Sequence, residues 1–196
     1  VLRLSNEFHR IPPDRKEVLI ELARFVEEKV RAHQVADLNF ICTHNSRRSH
    51  MAQVWAQAAA HYYRVPGITC FSGGTEATAL NARAADTIKK IGFRVDRISE
   101  GQNPIYDIKF SNDRPGIRVF SKKYDHLSNP SRDFAAIMTC SHADENCPLV
   151  LGASARIALT YDDPKDFDGT PEESTKYSER VNEIGREILF AFSQVK

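Results

Sequence analysis

The sequence lacks the features that define several large classes of protein. No apolar run approaches the roughly 20 residues that a membrane-spanning helix needs, and no signal peptide is visible. Neither sign of charge is in excess: 27 basic and 26 acidic residues leave a formal net charge of +1, which gives no reason to expect nucleic acid or a membrane surface as a partner. Four cysteines in 196 residues do not resemble a secreted disulfide framework. We therefore expect a cytoplasmic protein with reactive thiols.

Apolar runs and helical patterns alternate along most of the chain. The apolar runs cover residues 38–41, 68–71, 134–139 and 155–160, and the helical patterns cover 48–63, 79–91 and 170–192. This alternation is typical of an α/β protein and predicts a small four-stranded parallel sheet with helices on both faces. The functional loops of such a sheet lie at the carboxyl ends of its strands. The length suits a single domain spanning residues 1–196.

An N-terminal helical extension, residues 1–36, precedes this alternation. A Pro-Pro-Asp start is followed by apolar positions at helical spacing, which are Val18, Leu19, Leu22, Phe25, Val26 and Val30. We expect this amphipathic helix to pack on the domain. A surface for a partner, or for a homo-oligomer formed through this helix, is the other interpretation.

A second addition covers residues 99–133, where turn signals and exposed charge replace the apolar pattern. Segments 105–110 and 117–121 flank a Pro-Gly turn and could pair as a hairpin. We interpret this stretch as an insertion that lies over one edge of the domain. A lid over the substrate is the sharper interpretation.

The stretch around Cys42 carries the strongest chemical signal. The first apolar run ends at Cys42, and a polar turn leads into a helical sequence. Cys42 and Arg48 are separated by five residues, so the loop between them could surround an oxyanion with backbone N–H groups at a helix start. Arg48 would bind two anion oxygens, and the positive field would favour the thiolate form of Cys42. The other interpretation is a buried core cysteine beside two solvated arginines.

Reactive or polar side chains also follow the other three predicted strands. These residues are Ser72, Cys140 and Asp163. Because the carboxyl ends of parallel strands meet at one edge of the sheet, the four positions together predict a functional site. Cys147 follows Cys140 after six residues, and the spacer between them has no large apolar side chain.

The motifs at these strand ends resemble those of a known family. In chain order they are Cys42-Thr43-x-Asn45-Ser46-x-Arg48-Ser49, Ser72-x-Gly74-Thr75, Thr139-Cys140-x-x-Ala143-Asp144-x-x-Cys147-Pro148 and Asp162-Asp163-Pro164. This set is similar to the thioredoxin-coupled arsenate reductases, which share the fold of the low-molecular-weight protein tyrosine phosphatases. The resemblance covers about residues 37–98 and 134–192 and leaves the helical extension and the insertion outside it.

The resemblance implies a role for each motif residue. Cys42 is the nucleophile, Ser49 donates a hydrogen bond to its sulfur, and Asp163 is the general acid. Arg48 binds the oxyanion together with a phosphate-binding loop made of Thr43, His44, Asn45, Ser46 and Arg47. Asn45 and Ser72 keep this loop in shape.

The sequence departs from the family's pattern at three positions. His44 stands where glycine is usual, so its imidazole should lie at the mouth of the pocket, and Arg47 replaces a second loop cysteine. Gln53 stands where the reductases that bind potassium often have glutamate. We therefore predict no metal site and no cofactor.

The implied reaction is the reduction of arsenate to arsenite through a thiol-disulfide relay of Cys42, Cys140 and Cys147, with thioredoxin as the reductant and arsenical resistance as the context. The alternative is a low-molecular-weight protein tyrosine phosphatase, which would hydrolyse phosphotyrosine or small phosphate esters through a Cys42 phosphoenzyme. Two further hypotheses remain. One is a non-enzymatic anion- or metal-binding module that uses Cys140, His142 and Cys147, and the other is a regulatory protein with an inactive pocket that binds a partner through its N-terminal helix.

Overall fold

The computed structural model describes residues 1–146 and 149–196. The helices in this part of the chain are α1 (Leu2–Ser5), α2 (Pro13–Arg31), α3 (Arg48–Tyr62), α4 (Ala82–Lys90), α5 (Ser141–Asn146) and α6 (Glu173–Ser193). The strands are β1 (Ala36–Cys42), β2 (Ile68–Gly74), β3 (Arg94–Arg97), β4 (Tyr106–Lys109), β5 (Ile117–Val119), β6 (Phe134–Met138) and β7 (Ala153–Ala158). No helix among the described residues is long and apolar enough to cross a membrane.

The larger sheet has four parallel strands in the order β2-β1-β6-β7. Alternate residues of its central strands enter two separate apolar clusters: Phe40 and Ile137 pack with α2, α3 and α6, whereas Ile41 and Met138 pack with Ala143 of α5 and with Tyr124. Both faces are therefore covered, as side chains that alternate across a strand require in a parallel sheet. The predicted fold class is confirmed.

The N-terminal helix packs its apolar stripe into the domain. Leu19, Leu22 and Val26 of α2 are buried, and the helix lies against α6, β7 and β1. The polar lead in front of it forms α1 and a short 3-10 turn, Phe8–Arg10, which are held on α6 by an ion pair between Glu7 and Arg186 at 2.9 Å. These turns depend on a tertiary partner, so their own sequence does not predict them.

The hairpin in the 99–133 segment is confirmed by the antiparallel pairing of β4 with β5. A third strand, β3, pairs with β4 on its other side, although it lies outside the predicted insertion. The apolar signal of β3 is weak because its four residues are exposed or only partly buried. The antiparallel sheet therefore starts before the boundary at residue 99.

The chain returns from this small sheet across the carboxyl end of β2. The backbones of Gly74, Lys122 and Tyr124 exchange hydrogen bonds of 2.9 Å. A Cβ atom on Gly73 would overlap the backbone of Tyr124, and one on Gly74 would lie 2.6 Å from the carbonyl oxygen of Thr43. The two glycines therefore allow the close approach of the neighbouring loops.

Candidate active site

The loop from Cys42 to Ser49 is held by its own side chains. Cys42 is 3% exposed, and its Sγ lies 3.1 Å from the hydroxyl of Ser49. The same hydroxyl accepts a hydrogen bond of 2.9 Å from the side-chain amide of Asn45. Asn45 has a φ of +44°, a left-handed conformation that asparagine tolerates better than most residues. The Ser49 hydroxyl therefore lies beside the Cys42 sulfur, and the Asn45 side chain holds that hydroxyl in place.

Segments distant in sequence hold the outside of this loop. The Ser121 hydroxyl donates to the carbonyl of His44 at 3.0 Å, and the amide of Lys122 donates to the side-chain oxygen of Asn45 at 2.8 Å. The carbonyl of Ser46 accepts from the amide of Asn81 at 3.0 Å. Residues 121–122 of the predicted insertion thus form part of the wall of the oxyanion loop.

Arg48 is held by the chain's own acceptors at the end of β7. Its guanidinium donates to the carbonyl of Tyr161 at 2.8 Å and to the carboxylate of Asp163 at 2.7 Å. Its Nε is buried and has no hydrogen-bond partner among the described residues. The predicted anion-binding residue and the predicted general acid are therefore in direct contact.

Arg47 lies on the other side of Asp163. Its guanidinium is 3.9 Å from the Asp163 carboxylate and 3.5 Å from that of Asp168, and it donates to the hydroxyl of Tyr177 at 2.8 Å. The Tyr177 hydroxyl in turn donates to Asp168 at 2.8 Å. Burial raises the pKa of Tyr177 to about 12, so it remains a neutral donor. The positive charge of Arg47 is thus directed at the Asp163 and Asp168 carboxylates.

Cys140 is buried at the end of the neighbouring strand. Its sulfur lies 3.4 Å from the hydroxyl of Thr43 and accepts a hydrogen bond of 3.3 Å from the amide of Ala143. Cys42 and Cys140 belong to the same apolar cluster, whereas Cys70 is buried in the other one. Burial raises the pKa of the Cys70 thiol, as expected for a core cysteine.

The predicted third cysteine, Cys147, lies outside the described residues. Within the described part of the chain, no three His, Cys, Asp or Glu side chains are placed to hold a metal ion. The metal-binding hypothesis therefore has no support from the residues whose positions are known.

Ser72 contacts the helix that follows the oxyanion loop. Its hydroxyl contacts Nδ1 of His50 at 3.0 Å, in the first turn of α3 rather than in the loop itself. Burial, together with the smaller effect of the nearby Lys122 charge, lowers the pKa of His50 to about 3. Burial also lowers the pKa of Lys122 to about 8. Ser72 thus supports the base of the loop through a neutral histidine.

A cavity of about 650 Å³ opens over these groups. Its lining includes the predicted site residues Thr43, His44, Arg48 and Asp163, together with Glu76, Ser141, His142, Tyr161, Asp162, Lys165 and Asp166. His44 lies at its rim, 38% exposed and 3.6 Å from the carboxylate of Glu76.

Sequence reasoning missed Tyr161, Asp168 and Tyr177 as supports of the site. Each reaches it from a distant segment, so no local pattern could have indicated them.

Comparisons with known proteins decide the family. The chain is 31% identical over 150 residues to an arsenate reductase of Halalkalibacterium halodurans, a match that covers 76% of this chain and 89% of that protein. The chain belongs to the arsenate reductase family. An arsenate reductase of Bacillus subtilis is 30% identical over 151 residues, with the same coverage of both chains. No family model matches the chain.

Solved structures agree with this arsenate reductase fold. A low-molecular-weight phosphotyrosine phosphatase of Vibrio cholerae superposes with a TM-score of 0.52 at 12% identity, covering 79% of this chain and 93% of that one. A low-molecular-weight protein tyrosine phosphatase of T. tengcongensis gives 0.50 at 17% identity, covering 78% and 95%. The predicted family and enzyme class are confirmed, and the substrate class is a tetrahedral oxyanion. The roles of the individual site residues stay predictions.

Proposed function

We propose that this arsenate reductase converts arsenate to arsenite through Cys42, Cys140 and Cys147 in turn. One observation carries the proposal. Two buried thiols end adjacent parallel strands in one apolar cluster, and each has a hydroxyl of the oxyanion loop beside its sulfur. A hydrolase that uses a single nucleophile has no need of the second thiol.

In the first step the Cys42 thiolate attacks arsenic, and a hydroxyl group of arsenate leaves as water after taking a proton from Asp163. The loop amides and Arg48 bind the remaining oxygens. An incoming oxyanion competes with the Asp163 carboxylate for Arg48, since both need the same guanidinium. Two anions in one site favour uptake of a proton, so binding prepares Asp163 to act as the acid.

In the second step the Cys140 thiolate attacks the Cys42 sulfur. The sulfur–arsenic bond breaks, its electron pair stays on arsenic, and arsenite leaves. Arsenic is thereby reduced by two electrons, and the two thiols are oxidised to a disulfide. Cys147 then displaces Cys42 from Cys140, and a dithiol reductant, for which we propose thioredoxin, reduces the resulting Cys140–Cys147 disulfide.

This chemistry requires a reducing compartment, so we propose the cytoplasm as the place of action.

The helix α2 buries its main apolar side chains against its own domain, which leaves its outer face polar. A homo-oligomer through this helix stays a prediction of the sequence.

Hydrolysis of a phosphate ester is the second candidate. Cys42, Arg48 and Asp163 would serve a phosphate as well as an arsenate, because both are tetrahedral oxyanions of similar charge. Water would then release the phosphate from Cys42, and Cys140 would not take part.

The deciding experiment is a turnover assay with arsenate and with an aryl phosphate, each with and without thioredoxin and its reductase. Arsenite formation that depends on the reductant supports the proposal. In Cys147→Ser treated with arsenate, we expect one turnover that stops with Cys42 joined to Cys140. In the separate assay without arsenate, the same variant should still hydrolyse the aryl phosphate. If peptide mapping finds no such disulfide after arsenate treatment, the phosphatase function replaces the reductase function.

A further inference from the structure

The hydroxyl of Thr43 connects Cys140 to a histidine that the relay does not use. Its oxygen lies 3.4 Å from the Cys140 sulfur and 3.3 Å from Nδ1 of His142. Thr43 follows the nucleophile Cys42, and His142 lies in the first turn of α5, two residues after Cys140. The three groups come from two neighbouring strand ends of the sheet.

When the His142 imidazole is neutral and carries its proton on Nε2, the hydrogen bonds in this chain of contacts can run in one direction only. Nδ1 accepts the hydroxyl proton of Thr43, and the Thr43 oxygen accepts the thiol proton of Cys140, since a hydroxyl can donate once and accept at the same time. Moving both protons one step towards His142 leaves Cys140 as a thiolate and His142 as an imidazolium. Catalytic hydrogen bonds are often long before the substrate binds, so these distances suit such a relay.

We infer that His142 is the proton acceptor that activates Cys140 through Thr43. This inference rests on the proposed function, because only the reductase relay needs a Cys140 thiolate. Cys140 is 1% exposed, so solvent has little direct access to its proton, whereas His142 is exposed and can pass a proton to water. His142 does not touch the reacting sulfur and acts through Thr43 alone.

The balance of the activated step is complete. The proton of Cys140 moves to Nδ1 of His142 through the Thr43 hydroxyl, and the thiolate then forms a bond to the Cys42 sulfur. The sulfur–arsenic bond breaks, and arsenite leaves with the electron pair.

Several charged groups share the cavity with His142. They are His44 and Arg48 after β1, Glu76 after β2, and Asp162, Asp163, Lys165 and Asp166 after β7. Its own helix adds Asp144, which pairs with Arg156 at 2.6 Å, and Glu145. The variants below keep all these charges, so a changed pH profile reports on His142 itself.

The experiment uses the Cys147→Ser protein, which stops at the Cys42–Cys140 disulfide, and measures how fast that disulfide forms after arsenate is added. We expect His142→Gln to slow this step about 10-fold near neutral pH, because an ordinary thiol is only a few per cent ionised there. The loss should shrink as the pH approaches about 9, where a thiol ionises without a base. The pH profile of the step therefore moves upwards.

Matched variants separate the relay from a structural effect. Thr43→Val should lose the same factor and Thr43→Ser should recover it, and the combination of His142→Gln with Thr43→Val should be no slower than either variant alone. His9→Gln, an exposed histidine on the Phe8–Arg10 turn, should change nothing. Aryl phosphate hydrolysis should be slowed much less than disulfide formation in His142→Gln, since water rather than Cys140 releases the phosphate from Cys42.

The outcomes distinguish the two claims. If no protein forms the Cys42–Cys140 disulfide with arsenate, the proposed function itself fails. If His142→Gln forms it with the parent's rate and pH profile, His142 has no part in the relay. Equal slowing of disulfide formation and phosphate hydrolysis at every pH would mean a structural contact and would overturn the inference.

Discussion

At the scale of single residues, Arg48, the proposed anion-binding residue, is in direct contact with Asp163, the proposed general acid. The 2.7 Å ion pair lies between side chains that are about one-tenth exposed, 11% for Arg48 and 10% for Asp163. Arg47 approaches the same carboxylate at 3.9 Å. In the proposed mechanism a substrate anion displaces Asp163 from Arg48, and the freed carboxyl group then faces the leaving oxygen.

Replacing the acid tests this arrangement. We expect Asp163→Asn to lower kcat/KM for an aryl phosphate with a poor leaving group by about 100-fold, and to affect a good leaving group much less, because only the poor one needs a proton. Steady-state rates on the two esters measure the difference. Equal losses on both esters would instead assign Asp163 the task of holding Arg48.

The Ser49 hydroxyl is the second residue whose effect can be measured. It lies 3.1 Å from the Cys42 sulfur, where it can donate to a thiolate. We expect Ser49→Ala to slow alkylation of Cys42 about 10-fold near neutral pH, since a hydrogen bond to a charged group contributes about 1.5 kcal/mol or more. Ser128→Ala, a change in the exposed 126–128 turn, is the matched control. An unchanged alkylation rate would rule out this hydrogen bond to the thiolate.

At the scale of elements, the return from the small antiparallel sheet supports the oxyanion loop. Ser121 donates to the carbonyl of His44 and accepts from the amide of Thr78 at 2.8 Å. Asn103 holds the backbone of Ser121 from both sides, with hydrogen bonds of 2.8 and 3.1 Å. This segment forms a wall of the site at the carboxyl end of the edge strand β2.

Removal of one hydroxyl measures this support. We expect Ser121→Ala to weaken phosphate binding several-fold and to lower the free energy of unfolding by about 1 kcal/mol, because the partly buried hydrogen bonds to the His44 carbonyl and from the Thr78 amide are lost. Protection of Cys42 from alkylation by phosphate reports the affinity, and urea denaturation reports the stability. Ser128→Ala again serves as the control. If Ser121→Ala has the same phosphate affinity and the same free energy of unfolding as the parent, Ser121 does not support the oxyanion loop.

At the scale of the whole molecule, the buried histidine His50 beneath the oxyanion loop makes the free energy of unfolding depend on pH. His50 is fully buried with a pKa lowered to about 3, whereas an unfolded histidine has a pKa of about 6.5. Between these values the unfolded state binds the extra proton. The free energy of unfolding therefore rises with pH between about 3 and about 6.5, and it decreases as the pH falls through the same range.

Urea denaturation at several pH values tests the coupling. We expect the free energy of unfolding to drop by about 2 kcal/mol as the pH falls from about 6.5 to 4.5, in addition to the contributions of the carboxyl groups. His50→Gln keeps a polar partner for Ser72. In this pH range the variant should take up about one proton fewer than the parent on unfolding. An identical pH dependence in His50→Gln and the parent would show that His50 does not titrate differently on unfolding.

Much of the fold and part of the site were accessible from the sequence because they depend on local patterns. Alternating apolar runs and helical spacing predict the four-stranded sheet, since each strand and helix buries a face with its own period. The strand ends then place Cys42, Ser72, Cys140 and Asp163 on one edge, and the spacing of Cys42 and Arg48 indicates an anion loop. The strand β3 escaped prediction because it has too little buried apolar surface to leave a pattern.

Only the tertiary structure decided how these side chains are connected. The contacts of Arg48 with Asp163, of Thr43 with Cys140 and His142, and of Ser121 with His44 join positions 77 to 115 residues apart. Such hydrogen bonds have no sequence period, because they depend on which loops meet after the sheet has assembled. The sequence determined which strand ends carry the chemical groups, and packing determined which of those groups share a proton or a charge.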